Sequence, residues 1–114
     1  MKVRLAHVGM NPTEEWSARK IAEWFSGRMD WEAVPGKGNY FLGTEIEIME
    51  ERGPGRFGHL AFAVQDLERA MEELEGKGVV FDRARFKYDE EEKIAAAYLK
   101  EEIGGFAVHL IEEP

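Results

Sequence analysis

One order of elements, strand–helix–strand–strand–strand, occurs twice along these 114 residues, and no other feature restricts the fold so strongly. In the first copy residues 3–10 read as a strand, which Asn11-Pro12 breaks. Thr13 is placed to cap a helix, and Glu14 and Glu15 suit the positive end of its dipole. Ala18, Ile21, Ala22 and Phe25 then recur at helical spacing until Gly27 stops the run. Three short strands are expected near 30–35, 38–43 and 44–50, with Pro35-Gly36-Lys37-Gly38 turning between the first two. The loop Arg52-Gly53-Pro54-Gly55-Arg56 is the boundary, so the first module spans 1–52 and the second 56–114.

The second module follows the same plan. Residues 57–64 read as a strand, Asp66 as an N-cap, and Leu67, Ala70, Met71 and Leu74 as one apolar helical stripe. Gly76-Lys77-Gly78 ends that helix, and strands follow near 79–86, 92–100 and 105–112. The acidic run Asp89 to Glu92 reads as a solvated turn between the first two. Two such modules make one α+β domain covering residues 1–114. Trp16, Trp24 and Trp31 read as core or interface residues.

Composition removes several classes of function. There is no cysteine, which excludes thiol catalysis, thiolate metal sites and disulfides and suits a reducing, cytoplasmic setting. A net charge of −8 repels phosphate backbones, so no nucleic-acid partner is expected. No apolar run approaches a membrane span, and residues 1–5 lack the apolar core of a signal peptide.

Strand parity then sorts the three histidines. Successive strand residues face opposite sides of a sheet. In the first strand Ala6, Val8 and Met10 suit the side covered by helices, which leaves His7 with Leu5 and Gly9 on the other. In the fifth strand Leu60, Phe62 and Val64 take the helix side and His59 the opposite one. In the last, Val108 and Leu110 leave His109 facing away. In the fourth, Ile46 and Ile48 leave Glu45 and Glu47 there. If this face curls into a trough, three imidazoles and a carboxylate converge, a donor set suited to Zn, Ni, Fe, Co or Mn. Read singly, each histidine is a satisfied or solvent-facing strand residue, and Glu45 and Glu47 are the wet side of a strand. Arg83 and Arg85 share one face of the expected sixth strand, either to hold a carboxylate or phosphate or as solvated edge charges. Tyr98 either lines the trough or packs.

The order of elements, with His7-Val8-Gly9, Ile46-Glu47-Ile48, Gly58-His59-Leu60-Ala61-Phe62 and Val108-His109-Leu110 in strands one, four, five and eight, resembles the vicinal oxygen chelate superfamily. That group includes glyoxalase I, methylmalonyl-CoA epimerase, extradiol dioxygenases and bleomycin-resistance proteins. The run Tyr98 to Phe106, continuing to His109, is similar to the glyoxalase-like domain associated with bacterial 2-keto-3-deoxy-6-phosphogluconate/4-hydroxy-2-oxoglutarate aldolases. The resemblance implies a curved mixed sheet, a partly open barrel, with a helix packed outside each module. It implies a homodimer, a divalent metal held by His7, Glu47, His59 and His109, and a small substrate with adjacent oxygens. It selects Glu47 over Glu45 as ligand. It also implies isomerase or lyase chemistry, a non-catalytic ligand-binding or resistance-type module, or an accessory role beside an aldolase. At the eighth-strand position the family pattern has a glutamate that handles the substrate proton, where this chain has His109. Either His109 leaves the metal to act as base, or Glu45 supplies the base, or the chemistry differs.

Overall fold

A computed structural model describes all 114 residues. The elements run β1 (Val3–Met10), α1 (Ala18–Met29), β2 (Val34–Pro35), β3 (Asn39–Leu42), β4 (Ile46–Met49), β5 (Gly58–Val64), α2 (Leu67–Gly76), a short 3₁₀ turn (Arg83–Arg85), β6 (Lys87–Tyr88), β7 (Ile94–Tyr98) and β8 (Phe106–Glu112). The strands form one mixed sheet in the order β2-β3-β4-β1-β5-β8-β7-β6. Each module therefore supplies one half, and the halves meet where β1 pairs antiparallel with β5. Within the halves β1 runs parallel to β4 and β5 parallel to β8. This is the α+β fold expected from the repeated order of elements.

Each module has its own apolar core on the helix side. Ala18, Ile21 and Ala22 of α1 pack on Leu42 and Ile48, with Met10, Phe25 and Trp31 at the margin. Leu67, Ala70 and Met71 of α2 pack on Val64, Ala97 and Leu110, closed by Phe81 and Phe86. Trp31 joins the first core, whereas Trp16 and Trp24 are largely exposed. The radius of gyration, 15.1 Å, exceeds the roughly 13 Å of a compact chain this long, because the molecule is elongated, with principal extents of 45 × 27 × 25 Å.

Four local expectations need correction. The cap of α1 is Ser17, whose hydroxyl accepts from Lys20 N, while Thr13 instead closes a tight turn by accepting from Trp16 N. Gly27 does not stop α1, which continues to Met29 and ends at Asp30 in the left-handed region. The strand foreseen near 30–35 contracts to Val34–Pro35. Residues 79–86 are not a strand. Phe81 and Phe86 are five apart and both enter the second core, which strand alternation forbids and a helical turn permits. Asp82 sets that turn, its carboxylate accepting from Ala84 N.

Since a Cβ at Gly27 would meet nothing within 4 Å, Gly27→Ala is expected to raise stability by about 0.5–1 kcal/mol in urea unfolding.

Candidate metal centre

The register across the sheet places the site residues in two rows on the face opposite the helices. Gly9 is the partner of Glu47 on β4 and of His59 on β5. One row therefore reads Glu47, Gly9, His59, Ala107 across β4, β1, β5 and β8. Ala61 is the partner of His7 on β1 and of His109 on β8, which in turn pairs with Tyr98 on β7. The second row reads His7, Ala61, His109, Tyr98. Large polar side chains thus alternate with Gly9 and Ala61, and they meet above those small residues.

The histidine parity is as expected, with one difference. A β-bulge between Leu5 and His7 shifts the register, so Leu5 lies opposite Phe62 while His7 lies opposite Ala61. Leu5 therefore shares the helix-side face with Phe62 and not the face of His7.

Three donors converge. His7 Nε2 lies 3.2 Å from His59 Nε2, and His59 Nε2 lies 3.1 Å from Glu47 Oε1. His7 Nε2 is 3.9 Å from the same Glu47 oxygen. The second oxygen of Glu47 accepts from Asn39 Nδ2 at 2.7 Å. The hydrogen bond with His59, aided by that from Asn39, holds the Glu47 carboxyl down at about 2. Burial, and then the neighbouring His59, lowers His7.

His109 stands beside this trio. Its ring centroid is 5.4 Å from that of His59 and 5.8 Å from that of His7. It stacks on Tyr98 at 4.5 Å, with Arg85 on the Tyr98 ring at 5.4 Å. Burial first, then His59, His7 and Lys87, brings His109 down to about 3, so its imidazole is neutral at ordinary pH. Burial raises the Tyr98 phenol.

The other expected site residues separate. Glu45 precedes β4, is exposed, and accepts from the Thr44 hydroxyl, outside the three-donor cluster. Arg85 reaches the trough wall through Tyr98 and donates from Nη2 to the Leu99 carbonyl at 3.1 Å. Arg83 does not share its face. It lies over Phe86 of the second core, in a cleft lined by Glu68, Glu72 and Glu75 of α2. Sequence reasoning missed Gly9 and Asn39. The lone glycine inside β1 is a recognisable sign of close approach, since a Cβ there would lie 2.0 Å from the His59 ring. Asn39 carries no comparable sign.

The donor set fits a divalent cation. Between His7 Nε2 and His59 Nε2 there is room for one proton at most, and His59 cannot give the same proton to Glu47 and to His7. Three lone-pair-bearing atoms, two imidazole and one carboxylate, all within 4.8 Å of one another, are arranged as ligands are.

No protein-family profile matches the sequence, and no curated protein matches it. Solved structures do match. The architecture is the glyoxalase, or vicinal oxygen chelate, fold. A hypothetical protein from Bacillus halodurans C-125 superposes with a TM-score of 0.64 at 18% identity, covering 100% of this chain and 96% of that one. Methylmalonyl-CoA epimerase from Mycobacterium tuberculosis gives 0.59 at 18%, covering 96% and 87%. A methylmalonyl-CoA epimerase in complex with methylmalonyl-CoA and NH4+ gives 0.62 at 14%, covering 99% and 96%. No helix of the chain is long and apolar enough to cross a membrane.

Proposed function

We propose that this protein is a divalent-metal-dependent isomerase or lyase acting on a small keto acid or hydroxy ketone with adjacent oxygens. The observation that carries the reading is the convergence of His7 Nε2, His59 Nε2 and Glu47 Oε1, all within 4.8 Å of one another, on the sheet face opposite the helices. A divalent ion there would supply Lewis-acid polarisation of an oxygenated substrate. Epimerases among the solved structures of the same fold support an isomerase.

In this reading His7, Glu47 and His59 hold the ion. His109, neutral and one row along the sheet, is the fourth donor of the expected set or the proton carrier. The exposed Glu45, tied to Thr44, is the weaker candidate for that proton. Arg85 and Tyr98 form the wall that receives an anionic group of the substrate, and Lys87, paired with Ala96 on the Tyr98 face, adds a second cation there. The ordered His7–His59–Glu47 contacts also favour a second reading, a ligand-binding module in which the trio is a hydrogen-bonded cluster without metal. Homodimer formation and an accessory role beside a sugar-acid aldolase rest on the sequence resemblance alone.

Metal analysis of protein purified without chelator is expected to give about one equivalent of divalent ion per chain, falling at least about tenfold in His59→Ala. Less than about a tenth of an equivalent, with none taken up on titration, overturns the metal reading. Small-ligand affinity that is unchanged in His7→Ala and His59→Ala establishes the binding-module reading instead.

A further inference from the structure

Glu47 uses its two oxygens for different purposes. Oε1 faces the histidines, 3.1 Å from His59 Nε2 and 3.9 Å from His7 Nε2. Oε2 is turned away and accepts from Asn39 Nδ2 at 2.7 Å, the short distance of a charge-assisted hydrogen bond. Asn39 belongs to β3, where it pairs with Met49, while Glu47 pairs with Phe41. The two are thus diagonal neighbours on the trough face, within reach of each other's side chains.

The orientation of that amide is itself constrained. The β2–β3 hairpin turns at residues 36–38, where Gly36 N–H donates to the Asn39 carbonyl at 2.8 Å and Gly38 holds a φ of +73°. A Cβ on Gly36 would lie 2.2 Å from Asn39 Oδ1, so only glycine leaves room for the amide oxygen on that side. That oxygen is buried without a hydrogen-bond partner. Rotating the amide by half a turn would satisfy nothing and would set oxygen against the Glu47 carboxylate. The bond to Glu47 is what holds the amide, and the hairpin is what aims it.

We propose that Asn39 is a positioning residue that occupies one oxygen of Glu47, so that the carboxylate serves the ion through Oε1 alone. This rests on the metal reading of the cluster. Its chemical consequence concerns substrate. A carboxylate that closes on an ion through both oxygens takes a coordination position, and a substrate presenting two adjacent oxygens needs two. By holding Oε2, Asn39 keeps that position for the substrate.

Cobalt(II) is a suitable probe, because its visible absorption reports coordination number as well as affinity. Titrations of the full chain are compared with Asn39→Ala, with Asn39→Leu, which keeps the bulk of the side chain but removes its donor, and with Gly36→Ala, which leaves Asn39 in place and crowds its amide. All three are expected to bind cobalt about 10–100-fold more weakly, and the two Asn39 variants to show an altered visible band. Apo melting temperatures are expected to fall by no more than about 10 °C, the cost of one charge-assisted hydrogen bond or a local clash, so every variant is folded at the temperature of the titration. Parent-like affinity and spectrum in Asn39→Leu overturn the proposal and leave bulk as the only role of Asn39. If an Asn39 variant fails to fold, Gly36→Ala decides, and unchanged affinity there overturns the proposal. If the parent takes up no cobalt, the metal reading fails with it, a result separable from failure of the variants alone.

Discussion

On the proposed metal reading, Gly9→Ala is expected to lower affinity for a divalent ion by more than about 100-fold through a single added methyl group. The new Cβ would lie 2.0 Å from Cε1, 2.2 Å from Nδ1 and 2.5 Å from Nε2 of His59, all inside contact distance. The ring has little freedom to yield, for His59 is only 5% exposed and Ala107 and His109 of β8 lie beside it. It must turn out of the cluster, or β1 and β5 must part. Either way one of three donors is lost, and affinity for a divalent ion should fall by more than about 100-fold. Overpacking should cost about 1–3 kcal/mol in urea unfolding. The outcome contrasts with Gly27→Ala, the same chemical change on an open helix face. Metal affinity within about threefold of the parent in Gly9→Ala would show that His59 is not a ligand.

Acid should destabilise the apo protein in two overlapping stages. His109 and His7 have native values below the ordinary 6.5, His109 at about 3. The unfolded chain therefore binds protons that the native state refuses once the pH falls below 6.5. The stability these groups hold above that pH is lost on the way down, for His109 until about pH 3. Glu47 acts in the same direction and later. Its native value of about 2 lies below the ordinary 4.5, so its contribution is complete above 4.5 and lost as the pH falls toward 2. Between pH 7 and pH 4 the His109 part alone amounts to about 2–3 kcal/mol. Urea unfolding across that range should show stability rising with pH, and His109→Phe should flatten the curve. A parent profile flat from pH 4 to pH 7 would contradict the neutral, buried state of His109.

Much of this could be read from one sequence because alternation is a local property. The strand pattern in residues 3–10, 58–64 and 106–112 is strong, and parity within each strand put His7, His59 and His109 on the face away from the helices. Asp66 capped its helix as expected, its carboxylate accepting from Arg69 N. Expectations failed where a tertiary contact overrode a local signal. Phe81 and Phe86 both seek the second core, which turns residues 83–85 into a 3₁₀ turn and parts Arg83 from Arg85. Gly27 is tolerated inside α1 because Phe25 is held by the first core and the carbonyl of Phe25 accepts from Trp31 N beyond the helix end. The bulge after Leu5 is invisible in the residues of β1, since it exists only in the pairing with β5.

By itself the sequence determined the α+β class, the two modules, and the face on which the histidines stand, because these follow from periodicity and from turn residues. The register between strands was decided by the tertiary structure alone. It set Glu47, Gly9 and His59 in one row and His7, Ala61 and His109 in the next, and so separated a three-donor cluster from its neighbour His109. It also brought Asn39 to Glu47 and left Glu45 outside. Pairing joins residues distant along the chain through backbone hydrogen bonds that carry no side-chain identity, so no local pattern encodes which residues end up opposite one another.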